Sequence, residues 1–135
     1  MPERVYLFDV DGTLTHPLTE VDEAFAEVFL SWKQSKDKKV YLVTGSDITK
    51  TKKQLFASFI DQCDGIFTCS GNVFYSKGKK VYENDLVLPE RFIENLQLYL
   101  DIGTSWRRKT GTHIEIRPGM IRFRTVGRSA SGGCL

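Results

Sequence analysis

The stretch Leu7-Phe8-Asp9-Val10-Asp11-Gly12-Thr13-Leu14-Thr15 sets two carboxylates two residues apart at the end of an apolar run, directly before a glycine. Val5 to Phe8 are strand formers bounded by a turn signal, which predicts a buried strand of a parallel sheet. Ligands of such sheets collect at the carboxyl ends of the strands, where Asp9 emerges. Side chains at i and i+2 of an extended chain point the same way, so Asp9 and Asp11 face one substrate while Gly12 lets the backbone turn close to it. The chemistry expected of such a pair is phosphoryl transfer. One carboxylate attacks phosphorus to form an acyl phosphate, and the other moves a proton as general acid and base. A carboxylate approaching an anionic phosphate is repelled unless a hard cation stands between them, and Mg²⁺ is the natural choice. The Thr13 hydroxyl and nearby backbone N–H groups are candidates to hold phosphate oxygens. An EF-hand loop needs its glycine in sixth place and here Gly12 is fourth, so Ca²⁺ binding of that kind is excluded. An Asp-Gly hairpin turn is the ordinary alternative, and Thr13-Leu14-Thr15 breaks its pattern.

A length of 135 residues gives room for one domain, or one and part of another. Hydrophobic residues at 41% and charged residues at 27% describe a soluble globular protein. No apolar run is long enough to cross a membrane, and Met1-Pro2-Glu3-Arg4 leads into the first strand without a signal-peptide core. Cys63, Cys69 and Cys134 are odd in number and lack metal-ligand spacing, which predicts reduced thiols in a cytoplasmic protein. Charge is unevenly spread. Residues 104–135 carry seven Lys or Arg against the single acid Glu115, so that segment is +6 and the remainder −4. An anionic ligand gripped from the C-terminal side is the expectation.

Thr19 with Asp22 three residues on resembles a capping box, and Val21, Phe25, Val28, Phe29 and Trp32 follow at helical spacing. Phe25 and Trp32 read as packing residues, and His16 as a loop residue, since the transfer already has its acid and base. Val40 to Val43 form a second buried strand that runs into Thr44-Gly45-Ser46-Asp47. Small hydroxyl residues before a helix bind phosphate through their oxygens and the helix N-terminus, or cap the helix, and Thr44 or Ser46 is the expected phosphate contact. One helix with Ile48, Leu55, Phe56, Phe59 and Ile60 on one side is expected next, with Lys50, Lys52 and Lys53 toward solvent. Gly65 to Cys69 make a third strand, completing the alternation of a parallel α/β sheet. Val73 to Tyr75 and Lys80 to Tyr82 make a hairpin. Beyond a boundary near Glu83 to Leu88, Pro89 starts a helix with the stripe Phe92, Ile93, Leu96, Tyr99 and Leu100, stopped by Gly103. A turn at Pro118-Gly119 pairs residue 117 with 120, 116 with 121, 115 with 122, 114 with 123 and 113 with 124. This places Ile114, Ile116, Ile121 and Phe123 on an apolar face. His113, Glu115, Arg117, Arg122 and Arg124 fall on a basic face, whose arginines suit phosphate, although for Arg122 and Arg124 an ordinary solvated face is the favoured reading.

The first motif matches the first signature of the haloacid dehalogenase superfamily of phosphotransferases. With Val43-Thr44-Gly45-Ser46-Asp47, and with the string Gly-Thr-x-Ile-Glu-x-Arg-x-Gly-Met followed by Val-Gly-Arg-Ser between Gly111 and Ser129, the chain resembles the eukaryotic-type phosphomannomutase family. The resemblance implies an α/β haloacid dehalogenase-like parallel-sheet core, incomplete, over residues 1–84. The start of an α+β cap domain follows over 85–135. It implies that Asp9 is the nucleophile, that Asp11 is the general acid/base, and that Mg²⁺ is held by Asp9 and the Asp11 backbone carbonyl. Arg117 and Arg128 match cap arginines that bind the substrate's phosphate. The implied reaction interconverts mannose 6-phosphate and mannose 1-phosphate through a hexose 1,6-bisphosphate and supplies GDP-mannose synthesis, with a homodimer formed through the cap. Two departures stand out. Leu18 follows Pro17 where the family usually has an arginine, and the match covers roughly the first half of the family's pattern, without its later active-site lysine and acidic metal-binding loop. That predicts a chain that does not turn over substrate alone. A Mg²⁺-dependent phosphosugar phosphatase is the alternative enzyme. A non-enzymatic anion- or RNA-binding module built on Trp106-Arg107-Arg108-Lys109 is the alternative of another class, and nucleic acid is the less favoured partner.

Overall fold

In the computed structural model, residues 3–103 and 112–128 are described, those at 103, 112 and 125–128 by backbone alone. Trp106 to Lys109, Gly111, Ser129 and Cys134 lie outside the described residues. The chain forms two compact units, residues 1–84 and 85–135.

The first unit runs β1 (Arg4–Asp9), α1 (Glu23–Lys33), β2 (Lys38–Val43), α2 (Ile48–Gln54), α3 (Ala57–Gln62), β3 (Gly65–Thr68), β4 (Val73–Ser76) and β5 (Lys79–Glu83). Its sheet has the order β1-β2-β3-β4-β5, the first three strands parallel and the last two added antiparallel. Tyr6, Phe8, Val40, Leu42 and Ile66 share one face with the helix side chains Ala26, Phe29, Phe59 and Ile60 and with Leu55 between α2 and α3. There Phe29 stacks on Phe59 at 5.3 Å and meets Phe8 edge-on at 5.1 Å. Trp32 meets Tyr6 and Phe8 edge-on, but Trp32, Phe25 and Val28 of the expected stripe are exposed, and only Ala26 and Phe29 of α1 are buried. On the opposite face Phe67 stacks on Phe74 at 4.5 Å, with Tyr41 and Tyr82 beside them. A Cβ on Gly65 would lie 2.5 Å from the Phe74 ring, so only glycine lets that ring approach the strand.

Three local expectations are corrected. β1 is not a strand buried on both sides: among the described residues it pairs only with β2, at the edge of the sheet, and Val5 and Leu7 are 63% and 65% exposed. Asp22 is itself the N-cap of α1, its carboxylate accepting from the Phe25 N–H, while the Thr19 hydroxyl donates to the His16 carbonyl in the preceding loop. The single helix expected over 48–60 is two, broken at Leu55 and Phe56, which are extended. The Gln54 carbonyl accepts from the Val21 N–H at 2.8 Å instead of continuing a helical ladder, and the break leaves Leu55, Phe59 and Ile60 all buried. Lys52 and Lys53 face solvent, whereas Lys50 is half-buried.

The second unit comprises α4 (Glu90–Gly103), β6 (Thr112–Arg117) and β7 (Met120–Arg128), with α4 lying against β7. Leu100 is buried and Ile93 and Leu96 half-buried, while Phe92 and Tyr99 of the expected stripe are exposed. The hairpin pairs Arg117 with Met120, Ile116 with Ile121, Glu115 with Arg122 and Ile114 with Phe123, then shifts register before Thr112 meets Arg128. Its turn needs Gly119 at φ +68°. The expected sidedness does not hold: Ile116 is 69% exposed, whereas the Arg117 side chain is only 8% exposed and pairs with Glu115 at 3.4 Å. His113 is buried too, its Nδ1 2.9 Å from the Arg124 carbonyl.

Asp64, just before β3, ties three elements together. Its carboxylate accepts from the Val40 N–H at 2.7 Å and meets Lys33 at 3.1 Å and Lys39 at 3.8 Å. Burial pushes its pKa up, but the Val40 N–H and the two lysines outweigh burial and hold it below the ordinary carboxylate value. A group lowered in this way adds stability above the pH at which the unfolded chain titrates, and that stability is lost as pH falls through the lower folded value. Asp64→Asn is therefore expected to lower unfolding free energy by about 1–2 kcal/mol at neutral pH. The difference from wild type should shrink as pH falls below the ordinary carboxylate range and through the lower folded value, as read by urea denaturation across an acid pH series.

Candidate active site

The register Asp9–Val43 and Val43–Phe67 brings the carboxyl ends of three parallel strands level. Asp9 stands at the end of β1, exposed, with Oδ1 accepting from the Val10 N–H at 2.9 Å. After the buried Val10 the chain curls tightly. The Thr13, Leu14 and Thr15 N–H groups all approach the Val10 carbonyl at 3.0–3.2 Å, and the Gly12 N–H donates to the Thr15 carbonyl at 2.8 Å. Gly12 makes this turn at φ +77°. Leu14 and Thr15 go inward while Gly12 and Thr13 stay at the surface. Thr13, His16, Glu20, Asp22 and Phe25 help line a depression of about 490 Å³ beside this loop.

Asp11 is held differently from Asp9. Its Oδ1 accepts from the Gln54 side-chain amide at 2.6 Å and from the Leu18 N–H at 3.0 Å, and Oδ2 accepts no hydrogen bond among the described residues. Leu18 itself has φ +60°. Neither Gln54 nor Leu18 was expected to act at the site. The available signal was a glutamine at an inward helical position, three residues after Thr51 and six after Ile48, where apolar side chains are the rule.

Thr44 and Ser46 lie next door and are both buried. Thr44 bridges to the neighbouring loop, its N–H donating to the Phe67 carbonyl and its carbonyl accepting from Ser70, while its Oγ1 accepts from the Ser46 N–H at 3.1 Å. Asp47 caps α2 through the Lys50 N–H at 2.8 Å. His16 is exposed and contributes its carbonyl to the loop, as a loop residue should. Arg117 belongs to the second unit and is paired with Glu115. Arg128 ends β7, and its side chain lies outside the described residues.

Asp9 keeps one carboxylate oxygen free of hydrogen bonds among the described residues, and a carboxylate with a main-chain carbonyl two residues on suits a hard, oxygen-seeking cation such as Mg²⁺. No group of three or more His, Cys, Asp or Glu side chains converges among the described residues. Cys63 and Cys69 are buried and form no disulfide among the described residues, and burial pushes the Cys63 thiol up to about 12, away from reactivity. Among the described residues no helix is long and apolar enough to cross a membrane.

A profile for eukaryotic phosphomannomutase matches residues 26–133. A phosphomannomutase of Triticum aestivum is 36% identical over 93% of this chain and 51% of its own length. One of Saccharomyces cerevisiae is 34% identical over 96% of this chain and 52% of its own. The chain thus spans about half the length of the curated relatives it matches. Among solved structures, a phosphatase of the haloalkanoate dehalogenase superfamily from Bacteroides thetaiotaomicron aligns over 76% of this chain and 37% of its own, with a TM-score of 0.52 at 21% identity. That likeness identifies the fold.

The Gly12 turn supplies a direct check on the loop. A Cβ there meets nothing within 4 Å, so replacement carries only the conformational cost of φ +77°. Gly12→Ala is expected to destabilise the chain by about 1–2 kcal/mol in chemical denaturation, without a folding defect.

Proposed function

The chain belongs to the eukaryotic phosphomannomutase family, and on that premise we propose that its first unit carries the phosphoryl-transfer half of a phosphosugar mutase. The substrates on this reading are mannose 6-phosphate and mannose 1-phosphate, exchanged through a hexose 1,6-bisphosphate. The observation that carries the proposal is the unequal treatment of two neighbouring carboxylates at one strand end: Asp9 exposed with a free oxygen, Asp11 fixed through Oδ1 alone. A nucleophile needs the first condition and a proton carrier the second.

An Asp9 oxygen attacks phosphorus. The bond to the sugar oxygen breaks with its electron pair remaining on that oxygen, which takes a proton from Asp11. In the return transfer Asp11 accepts the proton of the incoming sugar hydroxyl as that oxygen attacks the aspartyl phosphate. The Asp9 carboxylate and the Asp11 main-chain carbonyl are the groups that would hold Mg²⁺, which when bound offsets the repulsion between phosphate and Asp9. We assign contact with the transferring phosphate to Thr44 or Ser46, and contact with the distal phosphate to Arg117 and Arg128, in the manner of a core at 1–84 and a partial cap at 85–135. Residence in the cytoplasm, a role in GDP-mannose synthesis and a homodimer formed through the cap complete the reading.

Hexose 1,6-bisphosphate with Mg²⁺ should add one hydroxylamine-labile phosphoryl group to the protein, seen by intact mass, and Asp9→Asn should take up none. Exchange between the 1- and 6-phosphates without net phosphate release marks the mutase. Steady release of inorganic phosphate would mark a phosphatase instead.

A further inference from the structure

Gln54 sits at the end of α2, 43 residues from Asp11 in sequence, with 6% of its surface exposed. Its amide nitrogen lies 2.6 Å from Asp11 Oδ1, and its amide oxygen is buried with no hydrogen-bond partner among the described residues. Turning the amide over would set that oxygen against a carboxylate oxygen, acceptor against acceptor, so Asp11 dictates the orientation and leaves the other end unpaired. A half-paired buried amide is a poor choice for stability alone, because an unsatisfied acceptor loses its hydration and gains nothing in return. The backbone beneath it is anchored from both sides. The Gln54 carbonyl accepts from Val21, and one turn earlier the buried Thr51 donates its hydroxyl to the Asp47 carbonyl at 2.8 Å.

A second donor converges on the same oxygen. The Leu18 N–H reaches Asp11 Oδ1 at 3.0 Å from a residue in the left-handed region, a conformation that a non-glycine residue adopts only when its surroundings impose it. Two segments far apart in sequence therefore spend their donors on one atom. We infer that Gln54 is a positioning residue which, with the Leu18 N–H, commits Oδ1 of Asp11 to the scaffold and leaves Oδ2 as the oxygen that exchanges the proton. The part played by Oδ2 rests on the phosphoryl-transfer reading above, whereas the clamp on Oδ1 does not.

The test begins with the ¹⁵N-labelled chain and hydrogen exchange at Leu18, with the Lys50 N–H, capped by Asp47, as an internal control. Gln54→Met keeps the volume and removes the amide. It should speed exchange at Leu18 by about tenfold, toward the rate set by Asp11→Ala, with Lys50 unchanged. Because the orphaned oxygen leaves with the amide, the thermal midpoint should hold or rise. Gln54→Asn, too short to reach Asp11, should release Leu18 in the same way and serves if the Met variant fails to fold. Where Asp9 is phosphorylated and isomers exchange, Gln54→Met should lower kcat by about tenfold or more with KM within about twofold, a split that a purely structural residue does not produce. Unchanged Leu18 exchange in a folded variant overturns the clamp, and so does failure of both variants to fold. Released Leu18 with unchanged kcat overturns the assignment of Oδ2. If Asp9 takes up no phosphate, the functional reading fails, and Leu18 exchange still decides the clamp.

Discussion

The parallel ladder that sets Asp9 beside Val43 and Val43 beside Phe67 is the constraint on which the first unit depends. It brings three strand ends to one level, so that the loops leaving β1 and β2 meet without either having to reach for the other. Its register is held from the helix face, where Tyr6, Phe8, Val40, Leu42 and Ile66 pack on α1 and α3 and leave no room for a slip. A shift of one residue in β1 would turn Phe8 out of the core and put Asp9 in its place. Chemistry and packing are thereby coupled through side-chain alternation.

Carboxylates at different places in this sheet show how neighbours decide role. Asp64, at the amino end of β3, is consumed by structure: one N–H and two lysines occupy it. Asp22 and Asp47 are spent on helix caps. Asp11 gives one oxygen to the scaffold and keeps one, and Asp9 gives one oxygen only to the N–H of its own neighbour. Availability is a better guide to chemistry here than the number of acids.

The family match and the fold agree about the first unit, whose sheet has two unlike edges. β5, at one edge, carries Lys79, Lys80 and Glu83 and follows an irregular pairing with β4, features that discourage further strand addition. β1, at the other edge, is six residues long, evenly paired and exposes Val5 and Leu7. The two edges differ in chemistry as well as in position.

Much of this was legible in order along the chain. Apolar runs ending in turn signals marked β1, β2 and β3, the Lys77-Gly78 and Pro118-Gly119 turns marked both hairpins, and the spacing around Pro118-Gly119 fixed four of the pairs in the second. Asp9 and Asp11 were legible as two acids at one strand end, because they stand two residues apart where an apolar run meets a glycine. What depended on distant partners was not. The break at Leu55 follows from a hydrogen bond to Val21, the exposure of β1 from the absence of a second paired strand among the described residues, and the burial of Arg117 above Ile116 from packing within its unit. The sequence by itself determined the strand ends, the turns and the acid pair, because these arise from alternation, φ preferences and charge over a few residues. Only the tertiary structure decided which oxygen of Asp11 is held and by what, because Gln54 reaches it across 43 residues of chain through the packing of α2 on the sheet.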